Sequence, residues 1–230
     1  MPRSKSAARR APAVPTIVCV NYSKQPLGVG FGALIRALQK FLDEHFAPVW
    51  GTPAKLAVGN EPRKGAWTMA FLDNAGHAKS LGMHRAEYRG MPIAKVFVKK
   101  TLRYDEQVSV VASHELAEMM ADPGLSLWAK GPGGLYCYEV CDAVEEEKGF
   151  SIDGVPMSDF VHPAYFQTFR KSPGTRFDHL GRVKRPFEIR SGGYSVIRRG
   201  KRLVTKHGSA AKKRRFARED RQYHRSEYRR

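Results

Sequence analysis

With 230 residues and 42% hydrophobic side chains, the chain has room for one sizeable folded domain with appendages. Its formal charge is +18, unevenly spread: residues 1–15 carry four basic groups and no acidic one, residues 171–230 carry 20 Lys and Arg against 5 Asp and Glu, and residues 16–170 hold 16 basic and 17 acidic groups. Three cysteines are too few for a disulfide scaffold. No run approaches the roughly 18 apolar residues of a membrane span, and the basic N-terminus lacks the apolar stretch of a signal peptide. The expectation is a chain with no membrane partner, placed in the cytoplasm or inside a virus particle.

Residues 1–15 read as a flexible basic arm. Thr16 to Ser23 is β-branched and apolar, as in a strand. Leu34, Leu38, Phe41, Leu42 and Phe46 fall at helical spacing, and Pro48 is expected to end that helix. Residues 54–60 and 66–74 read as two further strands, 75–92 as a loop rich in glycine and polar groups, and 94–102 as another strand. Asp105 is placed to cap a helix running from about Glu106 to Ala121, halted by Pro123. A loop containing Trp128 and a Gly-rich stretch follow, then a hairpin over 149–158. From Lys171 onward short apolar runs alternate with basic residues, with a second hairpin at about 187–206. The reading is an α+β domain over 16–170 with basic extensions at 1–15 and 171–230.

The helix before Pro123 contains H-E-x-x-E, His114 to Glu118. In zinc proteases of the H-E-x-x-H type, the two histidines share a helical face and bind one ion, while the intervening Glu is the general base. Here His114 and Glu118 share the face. Both are competent zinc ligands, and the carboxylate makes the site harder, so manganese or calcium also becomes credible. Glu115 stands in the base position. Asp122, eight residues after His114, is a ligand, a partner of His114, or part of the turn at Pro123. His84 either reaches the site from a strand above it or is a loop histidine. Cys137 and Cys141 lack the paired spacing of a structural zinc site, and His162 reads as a packing residue.

The block "SHELAEMMADP", followed by Trp128 and then by "EVCD" (Glu139 to Asp142), resembles the plant phosphate-induced (exordium-like) proteins and bacterial and phage proteins of zincin-like appearance. The resemblance spans roughly Thr16 to Phe166. It implies a zincin-like fold, a mixed sheet over a metal-site helix, with zinc or another divalent ion held by His114 and Glu118 and by Glu139 or Asp142 downstream. Glu115 would be the catalytic base.

Three functions stay open. One is a divergent metal-dependent peptidase. Another, which the sequence favours slightly, is a structural component of an assembly such as a phage particle, with basic ends contacting neighbouring subunits or nucleic acid. The third is a nonspecific nucleic-acid binder acting through phosphates. For the last two, the contact residues are Lys212, Lys213, Arg214, Arg215, Arg218, Arg221, Arg225, Arg229 and Arg230.

Overall fold

The structure, a computed structural model, describes residues 14–219 except 75, 77, 89, 146–148 and 170. Its main sheet has five strands in the order β2-β1-β3-β5-β4. These are β1 (Thr16–Asn21), β2 (Lys55–Gly59), β3 (Trp67–Leu72), β4 (Gly82–Tyr88) and β5 (Met91–Phe97). The first three and β5 run parallel, and β4 pairs antiparallel with β5 at one edge. Alternation within β1 sorts its side chains by face. Ile17 and Cys19 enter the main core, while Val18 and Val20 join a smaller cluster with Ala66 and Ala70 on the other face.

Two helices cover the main-core face. Helix α1 (Phe31–Lys40) runs into a π-helical stretch (Phe41–Phe46) and a last turn, α2 (Ala47–Trp50). The helix therefore passes Pro48 instead of stopping there. Pro48 lies in the turn that follows the π-helical stretch, where the helical hydrogen-bond pattern changes. Gly51 ends the helix in the left-handed conformation, φ 70°. After a short helix α3 (Val98–Arg103) comes α4 (Val108–Ala121), buried on almost every side. It lies between β4 and β5 on one side and the hairpin of β8 (Phe150–Ile152) and β9 (Val155–Met157) on the other.

Several expectations are corrected. The segment 75–92 is not all loop, because it contains β4. Residues 98–102 are helical, not strand. Asp105 does not cap α4: it sits at φ 57°, and Gln107 occupies the cap position without a side-chain bond. The loop at Trp128 is a hairpin of β6 (Trp128–Gly131) and β7 (Gly134–Cys137). Strands β10 (Tyr194–Arg199) and β11 (Arg202–His207) continue that sheet in the order β11-β10-β7-β6. Residues read as a C-terminal extension thus pair with the body, and Phe177, Val183, Phe187 and Ile197 enter its main core. The expected arm lies, but for Val14 and Pro15, outside the described residues. Among the described residues no helix is long and apolar enough to cross a membrane.

An aromatic cluster joins these layers. Phe160, fully buried, meets Phe46 at 5.0 Å and Phe41 at 5.6 Å between ring centroids. Phe160→Ala should cost about 3–5 kcal/mol, the usual range for a buried Phe with no room to collapse. Urea unfolding measures it, and a loss below about 1 kcal/mol would mean that the cluster is not tightly packed.

Candidate metal centre

Three separate stretches converge on one point. Helix α4 presents His114, Glu115 and Glu118. Strand β4 packs against α4 and sets His84 onto it. Beyond β7 the chain carries Glu139 into a short 3-10 helix, Asp142–Val144, which opens with Asp142. His114 Nε2 lies 3.2 Å from Glu118 Oε1 and 3.3 Å from Asp142 Oδ1. His84 Nδ1 lies 3.6 Å from Glu115 Oε2 and 3.7 Å from Glu118 Oε2, and its Nε2 lies 3.9 Å from Glu139 Oε2. Two ligand groups result, His114–Glu118–Asp142 and His84–Glu118–Glu139, each with its donor atoms within 4.8 Å of one another. Atoms bonded at about 2.1 Å to one tetrahedral ion stand about 3.4 Å apart, so His114 Nε2 already has that spacing from both Glu118 and Asp142.

Backbone contacts fix this arrangement. The Cys141 N–H donates to Glu118 Oε1 at 3.3 Å. Ser113 Oγ accepts from the Ser158 N–H at 2.8 Å, tying α4 to the β9 end of the small hairpin. Gly82 is a site residue that the sequence reading missed. A Cβ there would stand 2.6 Å from Glu115 Oε1, so the missing side chain makes room for the glutamate. Gly82 opens strand β4, two residues before His84, and its lack of a side chain gave the sequence reading nothing to mark. Gly193 plays a similar part: a Cβ would meet the Ala143 carbonyl at 2.3 Å, and the Arg190 N–H donates to that same carbonyl at 2.9 Å. Residues 190–193 therefore brace the 3-10 helix that carries Asp142.

Asp122 is not at the centre. Its carboxylate accepts the Ser126 and Leu127 N–H groups at 3.0 and 2.9 Å, so of its three readings the turn is the one observed. Cys141 contributes its N–H but belongs to neither ligand group.

The cluster lines a cavity of about 970 Å³. Helix α5 (Ala210–Arg218) also lines the cavity, through residues that include Lys212, Arg215 and Phe216. Lys212 is buried and pairs with Glu145 at 2.9 Å, while Arg215 pairs with Glu106 and Glu219. Two of the cations expected to contact partners are thus engaged within the chain. Lys213, Arg214 and Arg218 are exposed. Arg221, Arg225, Arg229 and Arg230 lie outside the described residues.

Burial opposes the His84 cation, but its hydrogen bond with Glu115 and the Glu139 and Glu118 carboxylates prevail and hold its pKa up to about 9. His114 is also held well above its ordinary value, with burial opposing and Glu118 leading the groups that raise it. Burial lifts both Glu118 and Asp142 above the carboxylate range, against the pull of His114. Without a cation, then, the cluster keeps its protons. A metal has to displace them. A histidine raised to about 9 is protonated below that pH and open to metal above it. Apparent Mn²⁺ affinity should therefore rise from pH 6 to pH 9, by at most about tenfold per unit for each proton released. Calorimetry in two buffers of different ionisation enthalpy should show that release. Affinity flat across the range would count against histidine ligation.

None of the protein-family models, curated proteins or solved structures compared with this chain matches it, so the geometry of the site is what carries a function.

Proposed function

We propose that the chain is a zincin-like, metal-dependent hydrolase acting on peptide bonds. The observation that carries this reading is the place of Glu115. It belongs to neither ligand group, yet it lines the same cavity and stands 3.6 Å from His84 of one group, in space left by Gly82. A divalent ion held by the histidines and carboxylates would polarise a carbonyl and acidify a water. With such an ion bound, Glu115 would serve as the general base for that water and hand the proton to the leaving amine. His84, with Nδ1 toward Glu115, holds the carboxylate in position. Strand β4 ends the sheet, with no strand paired beyond it among the described residues, so its edge offers backbone groups to an extended peptide.

Two substitutions test the assignment. Glu115→Gln removes the base and keeps the shape, so hydrolysis of an unstructured protein substrate should fall by about 10²–10⁴-fold while bound metal is unchanged. Gly82→Ala should lower it in the same sense by displacing Glu115. A wild-type protein that holds metal yet cleaves no protein or peptide would sink the hydrolase reading.

One observation supports a second role as an assembly component with basic contacts: Lys213, Arg214 and Arg218 are exposed on α5. Because Phe216 of the same helix packs into a buried cluster with Cys137, Tyr194 and Val196, the test changes charge instead of deleting the helix. Reversing all three to Glu should abolish low-salt retention of DNA, and wild-type binding should weaken steeply with added salt. Retention unchanged by the reversal would remove this role.

A further inference from the structure

We propose that the centre holds two divalent cations bridged by Glu118. The inference rests on the reading of the cluster as a metal centre and goes beyond the single ion that an H-E-x-x-E helix suggests. Its first support is the way Glu118 faces its neighbours. Oε1 is turned to His114, at 3.2 Å, and Oε2 to His84, at 3.7 Å. The two oxygens of one carboxylate thus serve the two ligand groups separately, as in a bridge between ions about 3.5–4 Å apart.

His84 provides a second, independent support. It is 4% exposed, and its Nε2 is buried without a hydrogen-bond partner while facing Glu139. A buried ring nitrogen left so costs free energy unless something occupies it. An ion there would bind Nε2 and Glu139, with Glu118, whose Oε2 faces the Nδ1 side of the ring at 3.7 Å, as the third member of the group. The other ring nitrogen is left toward Glu115, the usual carboxylate partner of a metal-bound imidazole. A second His84 role, as mere support for Glu115, leaves Nε2 unexplained.

Charge points the same way. Glu115, Glu118, Glu139 and Asp142 bring four carboxylates to two neutral imidazoles. Two divalent ions match the four carboxylates in charge, so with both bound the site is balanced without retained protons. Imidazole and carboxylate donors suit manganese, iron, cobalt or zinc.

Manganese titration of the metal-stripped full chain, followed by electron paramagnetic resonance, tests the proposal. The expected result is two equivalents per chain with an exchange-coupled spectrum, and one equivalent without coupling in His84→Gln. Asp142→Asn should also lose one equivalent and the coupling, so a folding defect peculiar to one variant does not decide the matter. Thermal melting of each variant shows whether it is folded. A single equivalent in the wild type would overturn the second ion and leave the metal centre standing. No bound ion would overturn both. Two uncoupled equivalents, with the second surviving in His84→Gln, would place that ion elsewhere, as at the His45–His179 pair, and would overturn the bridge.

Discussion

Carboxylates set side by side out of water repel one another and lose the hydration their charge needs. Glu115, Glu118, Glu139 and Asp142 are held in this way, with His84 and His114 between them and the Cys141 N–H on Glu118. Retained protons relieve part of that cost, and a bound cation would relieve the rest. What holds the site together is apolar packing elsewhere. Helix α4 is clamped between sheet and hairpin, and Leu116, Met119 and Met120 are buried on the faces that the ligands leave free. The same helix turn is thus an ordinary core element on one side and a costly charged wall on the other.

The legible parts of the sequence were those set by local periodicity. His114 and Glu118 share a face because helices repeat every 3.6 residues, and the apolar run of β1 needed no context. The parts set by distant contacts were not legible. Strand β4 hides in a Gly-rich polar segment because one of its inward positions is occupied by His84, not by an apolar residue. Gly82 gives no side chain to read at all. Asp105 carries the chemistry of a cap, but its left-handed backbone takes it out of the cap position. Which of Glu139 and Asp142 faces which histidine depends on the turn after β7, and that turn is fixed by residues some distance on. The basic composition of the C-terminal third concealed its strands, since charge says nothing about pairing.

That third of the chain is where charge and fold diverge most. Strand β10 pairs with β7, the Lys212 ammonium stands 5.1 Å from the centre of the Phe216 ring, and Arg215 reaches back to Glu106 just before α4. A high count of cations reads as a solvated tail. Here part of it lines the same cavity as the ligands, and its long side chains cover apolar surface while their heads find acids.

The bracing of Asp142 by Arg190 and Gly193 bears on the order in which the molecule comes into being. During synthesis β4, α4 and Asp142 emerge first, and every ligand is present well before the residues that support the 3-10 helix. An ion that arrives early meets donors that are not yet held in place. The site reaches its final affinity only when the last strands dock. If the site is a metal centre, its loading would be coupled to the slow, non-local end of folding, and damage confined to a segment that contributes no ligand would first be noticed as missing metal.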